Sequence, residues 1–103
     1  MVIEWLEFKV TANLREKFIE VDREVWTATL EKYPGFLGKE VWLNPNDGES
    51  LFIVIRWQTR EQWKAVPEDI LAETEKEFAR QMSKSNYKLL RGKEYQVRKF
   101  SET

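Results

Sequence analysis

The sequence predicts a ferredoxin-like α+β fold, in which a βαββαβ order forms an antiparallel sheet with both helices on one face. Two observations predict it. Alternating apolar residues indicate four strands, and apolar residues three and four positions apart indicate helices between the first two strands and before the last one. The 103 residues have room for one core, and no repeat or linker divides them. We therefore expect a single domain over residues 1–103.

The first strand and the first helix are predicted within residues 2–33. The pattern over Val2–Val10 is that of a strand. Asn13 is expected to cap the following helix, because Glu16 stands three residues later in the spacing of a capping box. That helix is expected to end by Tyr33, since Pro34 disfavours helical geometry in the residue before it.

A hairpin and a short helix are predicted next. Strand patterns cover Phe36–Leu43 and Leu51–Gln58, and the segment 44–50 between them is rich in turn-forming residues. Thr59 and Gln62 repeat the capping-box spacing, which predicts a short helix immediately after the third strand.

The second long helix and the last strand complete the order. Leu71, Thr74, Phe78 and Met82 recur at helical spacing and define a buried face. The last strand is predicted over Glu94–Phe100. The first and third strands are expected to lie at the centre of the sheet.

The third strand is apolar on both faces, which predicts a partner. Leu51 and Ile53 point to one side, while Phe52 and Val54 point to the other. The two helices can cover only one side, and large apolar groups are costly to expose. We therefore expect a homodimer in which two sheets meet face to face.

Composition excludes several classes of function. Seventeen basic and eighteen acidic residues leave no positive excess for a nucleic-acid partner. Without cysteine or histidine, the commonest metal ligands and nucleophiles are missing, and no cofactor or metal is predicted. Glu73 and Glu77 lie one helical turn apart, but this spacing is typical of a solvated face. Neither a targeting signal nor a membrane anchor is recognised, so no membrane partner and a cytoplasmic location are expected.

Two segments carry a resemblance to a known family. They are Tyr-Pro-Gly-Phe at 33–36, which turns into the second strand, and Trp-Gln-Thr-Arg-Glu-Gln-Trp at 57–63, which leaves the third. With the order of elements, these segments resemble the antibiotic biosynthesis monooxygenase superfamily, and within it small proteins of cyanobacteria. The resemblance covers nearly the whole chain and implies a dimeric α+β barrel.

The resemblance also implies a range of functions. The superfamily includes cofactor-independent oxygenases of polyketides or quinols, and heme-degrading enzymes. This chain has Phe8 where the heme-degrading members have an asparagine, and it lacks their histidine iron ligand. The resemblance therefore implies a cofactor-independent oxygenase acting on a small aromatic or polyketide-like substrate. The alternative is a non-catalytic dimer that binds a small hydrophobic molecule or has a regulatory role.

Tryptophan is the most conspicuous residue type for ligand binding. Five indoles offer rigid surfaces on which an aromatic ligand can stack, namely Trp5, Trp26, Trp42, Trp57 and Trp63. Core or dimer packing is the simpler explanation for any one of them. Trp57 and Trp63 are the strongest ligand-binding candidates, because they are expected near the mouth of a pocket, and Trp42 is a further candidate.

Three polar side chains are further candidates for ligand binding. Arg56 interrupts an apolar strand and can bind an anionic group, or it can pair with Glu40 on the neighbouring strand. Asn44 offers a donor and an acceptor, but beside a proline it also fits a turn. Tyr87 can donate a hydrogen bond to a ligand or can be an ordinary half-buried phenol. No general base is identified.

Overall fold

A four-stranded antiparallel sheet with helices confirms the predicted ferredoxin-like α+β fold. The computed structural model describes residues 1–101. The strands are β1 (Val2–Val10), β2 (Phe36–Leu43), β3 (Ser50–Trp57) and β4 (Tyr87–Gln96). The helices are α1 (Arg15–Asp22), α2 (Ala28–Leu30), α3 (Arg60–Lys64) and α4 (Glu68–Met82), with a π-helical turn over Arg23–Thr27 between α1 and α2. Their order in the sheet is β2-β3-β1-β4, so the first and third strands are central, as predicted. Within residues 1–101, none of these helices is long and apolar enough to span a membrane.

The core lies between the helices and one face of the sheet. From β3 it includes Ile53 and Trp57, both almost fully buried. From the helices it includes Phe18 and Phe78, whose rings meet edge to face at 5.0 Å. This geometry suits the quadrupoles of two aromatic rings. The apolar face of α4 and the face of β3 that carries Ile53 and Trp57 therefore pack into the same core, which joins the helices to the sheet.

The start of α1 differs from the prediction. Asn13 does not cap the helix; it lies within a 3-10 turn, Ala12–Leu14, and α1 begins at Arg15 without a side-chain cap. A backbone hydrogen bond of 2.8 Å from the N–H of Leu14 to the carbonyl of Thr11 closes that turn. A backbone turn therefore stands where the capping box was expected.

The last strand begins earlier than predicted. β4 covers Tyr87–Gln96 and pairs with β1 along its length, whereas the prediction placed the strand at Glu94–Phe100. Leu89 and Leu90 lie inside β4, where a bulge shifts the register. Backbone pairing with β1 fixes this edge strand, and its side chains are mostly exposed. The alternation of apolar side chains is therefore a poor guide to its position.

The sheet surface opposite the helices, which we call the outer face, has an apolar centre formed by Ile3, Trp5, Trp42, Phe52 and Val54. Trp5 and Phe52 stack with their ring centroids 5.3 Å apart. Val54 is only 1% exposed, while Trp42 remains 45% exposed. The outer face also carries two ion pairs, Arg56 with Glu40 and Arg91 with Glu7.

Candidate functional site

A cavity of about 500 Å³ lies between the helices and the sheet, and we call it the helix–sheet cavity. Its volume falls within the range of small-molecule sites. Its walls are mainly apolar, with five aromatic residues and four charged ones. The aromatic residues are Phe8, Trp26, Trp57, Trp63 and Tyr87, and the charged residues are Glu4, Asp22, Lys39 and Glu75.

Strand register sets the arrangement of the cavity floor. Ile55 on β3 pairs with Glu4 on β1 and with Lys39 on β2. Residues paired across adjacent strands point to the same face, so the three side chains form one row toward the helices. Neighbouring strands lie about 4.8 Å apart, which places the backbones of Glu4 and Lys39 about 10 Å apart. The side chain of Ile55 therefore lies between the carboxyl group of Glu4 and the ammonium group of Lys39.

Glu4 is a carboxyl group in a largely apolar environment. Burial is the main cause that raises its pKa above the usual value of 4.5. A long hydrogen bond from Nε1 of Trp57, at 3.4 Å, and the positive charges of Lys64 and Lys39 oppose that rise. A carboxyl with a raised pKa is a better proton acceptor once ionised, which is the property of a general base.

Lys39 and Asp22 form a buried ion pair in the cavity wall. Nζ of Lys39 lies 2.7 and 2.8 Å from the two carboxylate oxygens, and the two side chains are 6% and 7% exposed. Burial is the main cause that raises the pKa of Asp22 and lowers the pKa of Lys39, and the attraction within the pair opposes both shifts. Asp22 directly precedes the π-helical turn that carries Trp26, and such turns are frequent at functional sites.

The opposite end of the cavity approaches solvent. The hydroxyl of Tyr87 donates a hydrogen bond of 2.6 Å to Glu75 on α4. Burial first, and then this hydrogen bond, raise the pKa of Tyr87 above its usual value of 10. Leu71 and Leu89 line the cavity here and are 37% and 51% exposed. The cavity therefore opens between α4 and β4, and the ion pair lies at its buried end.

Three of the predicted ligand-binding residues meet at the cavity, namely Trp57, Trp63 and Tyr87. Trp63 is placed by the predicted cap of α3, because Oγ1 of Thr59 accepts a hydrogen bond of 3.1 Å from the N–H of Gln62. The predicted junction between β3 and α3 therefore aims an indole at the cavity.

The other three predicted residues do not line this cavity. Arg56 and Trp42 belong to the outer face, because each stands one position out of phase with the cavity residues of its strand. Arg56 pairs with Glu40 at 2.8 Å, which is the alternative that the sequence left open. The side chain of Asn44 accepts a hydrogen bond from the N–H of Asn46, as in a turn.

Residues 1–101 contain no group of three or more acidic side chains that could hold a metal ion. On α4, Glu73 is exposed, and Glu77 accepts hydrogen bonds from Arg80 and Gln81. The carboxylate of Glu77 is therefore paired with side chains of its own helix.

Glu4, Asp22 and Lys39 were not predicted as site residues. A usable signal existed for two of them, because Glu4 and Lys39 are charged residues on strand faces that are otherwise apolar. The same signal selected Arg56. Distinguishing the faces requires the register of three strands, which the pattern of one strand does not provide. A different signal existed for Asp22, because it stands four residues after Phe18, on the apolar stripe of its helix.

Comparisons with solved structures agree on the fold. The chain is similar to SnoaB, a cofactor-independent oxygenase from Streptomyces nogalater, with 14% identity and a TM-score of 0.70 over 96% of this chain and 94% of that one. It is also similar to the ActVA-Orf6 monooxygenase of Streptomyces coelicolor, solved with nanaomycin D, with 14% identity and a TM-score of 0.75 over 99% and 91%. A conserved protein from Methanosarcina mazei has 15% identity and a TM-score of 0.64 over 91% and 89%.

Sequence comparison identifies the family. No curated protein sequence matches the chain significantly. The sequence profile described as antibiotic biosynthesis monooxygenase matches residues 1–69. This match includes β1, β2, β3 and α3, and therefore Glu4, Lys39 and Trp57. Because the profile covers more than half of the 103 residues, the chain belongs to the antibiotic biosynthesis monooxygenase family.

Proposed function

We propose that this chain is a cofactor-independent monooxygenase that acts on a small aromatic or polyketide-like substrate in the helix–sheet cavity. The observation that carries the proposal is Glu4, a partly buried carboxyl of raised pKa in a cavity walled by three indole rings. Indoles stack on flat aromatic molecules, and a carboxylate of raised pKa can accept a proton from a weak acid. Membership of the family and the similarity to an oxygenase that needs no cofactor support this chemistry.

Glu4 is proposed as the general base. It takes a proton from an acidic C–H or O–H group of the substrate, and the enolate that remains transfers electrons to O₂. In the net reaction, a CH₂ group and O₂ become a carbonyl group and water. The substrate therefore supplies all of the electrons, and the scheme requires neither histidine nor cysteine, both absent from the chain.

Oxygen uptake by a panel of anthrones and hydroquinones, with and without protein, tests the proposal. We expect the wild-type protein to accelerate uptake with at least one of them. Glu4→Gln should lower the protein-dependent rate by about 10²-fold or more, the effect expected for a lost general base. Glu73→Gln is the matched control, because it removes an exposed carboxyl outside the cavity, and it should keep the wild-type rate.

Two outcomes would contradict this assignment. If the wild-type protein accelerates none of the panel, the oxygenase proposal is wrong for these substrates. If the same compounds quench tryptophan fluorescence without oxygen uptake, the alternative of a non-catalytic protein that binds hydrophobic ligands is favoured. A rate unchanged in Glu4→Gln would exclude Glu4 as the base.

We further propose that the functional unit is a homodimer joined through the outer face. The support is the exposure of Trp42 beside the stacked pair Trp5 and Phe52 at the centre of that face. A second copy would remove this apolar surface from water and form an isologous interface. The helix–sheet cavity lies on the other side of the sheet, so this interface would leave its mouth accessible.

A further inference from the structure

The buried ion pair between Lys39 and Asp22 has a feature that the proposed proton transfer does not use. An ammonium group has three N–H donors. Among residues 1–101, the contacts of Nζ are with the two oxygens of Asp22. At least one donor is therefore available to a ligand, and Lys39 lines the helix–sheet cavity.

The row across the sheet relates Lys39 to Glu4. Both flank Ile55 on the floor of the cavity, on opposite sides, about 10 Å apart at the backbone. Long side chains reach inward from both positions, and each of the two charges affects the pKa of the other group. A flat ligand lying over Ile55 would therefore meet Glu4 at one edge and Lys39 at the other.

We propose that Lys39 binds the oxygen on which negative charge develops when Glu4 deprotonates the substrate. This inference rests on the proposed function and names the residue that stabilises its anion. In the step, the substrate's O–H or C–H bond breaks, and the proton forms an O–H bond with the Glu4 carboxylate. The electron pair stays on the substrate and is delocalised through its conjugated system onto the oxygen at the opposite edge, beside Lys39. One negative charge moves from Glu4 to the substrate, beside an ammonium that Asp22 holds in place.

The balance of charge in the cavity selects the class of substrate. The carboxyl groups of Glu4, Asp22 and Glu75 outnumber the ammonium group of Lys39 in the lining, and Lys64 contributes a further positive charge to Glu4. A ligand that arrives as a permanent anion, such as a carboxylate, meets this negative excess. A neutral weak acid does not, because it becomes an anion only as Glu4 becomes neutral. The cavity therefore fits phenols and enols that enter protonated.

The test uses 2-hydroxyanthraquinone, a fully oxidised phenol whose ionised form absorbs at longer wavelength than its neutral form. The pH titration of the bound probe is followed by absorbance, so the readout does not depend on turnover. We expect the protein to raise the ratio of phenolate to phenol at least about tenfold over the free probe, which corresponds to one pKa unit. Anthraquinone-2-carboxylate should bind at least about tenfold more weakly than the phenol.

Variants assign the effect to Lys39. Lys39→Met alone would leave Asp22 buried without a partner and could prevent folding. The double variant Asp22→Leu with Lys39→Met removes both charges and keeps the net charge. It should bind the probe as the neutral phenol, with the phenolate ratio of free solution. Lys76→Met is the matched control, because it removes an exposed lysine of α4 that does not line the cavity, and it should keep the shift.

Three results would overturn the inference: an unchanged phenolate ratio in the double variant, an equal loss in Lys76→Met, or failure of the wild-type protein to bind or ionise the probe. Failure of the oxygenase proposal appears separately. In that case, the probe would ionise in the cavity as expected while no compound of the anthrone and hydroquinone panel consumed oxygen.

Discussion

Glu4 combines a cost in stability with a gain in chemical reactivity. Its carboxyl group lies among apolar side chains and accepts one long hydrogen bond from Trp57. A charge in such a place loses much of its hydration, and nearby lysines replace only part of it. The same environment that penalises the carboxylate increases its affinity for a proton. Strain of this kind is typical of functional sites.

The cost of the buried charge predicts the pH dependence of stability. The pKa of Glu4 is higher in the folded chain than in the unfolded one. The contribution of Glu4 to the stability of the folded chain is therefore fully present below pH 4.5, and it is lost as pH rises through the folded pKa. Glu4→Gln carries no such charge. We therefore expect the free energy of unfolding of Glu4→Gln to rise relative to wild type as pH increases from about 4 to about 8.

Urea unfolding at several pH values measures this difference. Glu73→Gln is again the control, and its difference from wild type should stay nearly constant because Glu73 is exposed. A gap between Glu4→Gln and wild type that did not change with pH, or that moved in the opposite direction, would mean that the carboxyl is not penalised by burial.

Residue type alone predicted part of the site. Trp57, Trp63 and Tyr87 were selected because aromatic rings bind ligands, and all three line the cavity. Arg56 was selected because it is a cation in an apolar strand. The same reasoning applies to Lys39, but the side chain of Arg56 lies on the outer face of the sheet. The error is one of phase, since adjacent positions of a strand face opposite sides of the sheet.

At the scale of elements, Gln62 links the two segments that carried the family resemblance. Gly35 adopts φ +92°, and a Cβ placed on it would lie 2.4 Å from Oε1 and 2.6 Å from Cβ of Gln62. The carbonyl of Gly35 accepts a hydrogen bond of 2.7 Å from Gln58. The N–H of Gln62 is in turn bound by the cap of α3. The turn into β2 and the start of α3 therefore support each other.

This contact predicts that Gly35→Ala is strongly destabilising. The left-handed backbone costs an alanine about 1–2 kcal/mol, and the clash with Gln62 adds to that. We expect a loss of at least about 2 kcal/mol in urea unfolding. Gly48→Ala is the matched control, because its Cβ would have only one neighbour, at 3.9 Å. It should stay within about 1 kcal/mol of wild type.

Equal effects of the two substitutions would contradict the role of Gly35. A third variant, Gly35→Ala with Gln62→Ala, separates backbone strain from the clash. It should recover part of the lost stability, because the shorter side chain removes Oε1 and Cδ from the contact.

The order of the elements was predictable, and two of their boundaries were not. β1 and β3 are central and rich in apolar residues on both faces, and the turn residues at 44–50 marked the hairpin of β2 with β3. β4 is an edge strand with exposed side chains, so its position depends on backbone pairing with β1. Asn13 illustrates a similar limit, because a backbone turn at Ala12–Leu14 replaces the expected side-chain cap.

At the scale of the whole molecule, the proposed assembly depends on the outer face. We expect the wild-type protein to be a dimer at micromolar concentration in sedimentation and light-scattering measurements. Trp42→Glu should shift it toward the monomer, because a charge would be placed in the proposed apolar interface. Trp42 is 45% exposed within one chain, so the substitution should not prevent folding.

Leu71→Glu is the matched control for the dimer. Leu71 is also a partly exposed apolar residue, but it lies at the mouth of the cavity on the helical side. It should leave the dimer intact. A wild-type protein that remains monomeric at these concentrations would exclude the proposed assembly.

The central claim is that ligands bind in the helix–sheet cavity, and the five tryptophans provide the most direct measurement. Trp26, Trp57 and Trp63 line the cavity, while Trp5 and Trp42 lie on the outer face. The ¹H–¹⁵N spectrum resolves one indole signal for each residue. Titration with 2-hydroxyanthraquinone should shift the three cavity signals with a common saturation curve and leave the other two in place. Shifts confined to Trp5 and Trp42 would contradict the account.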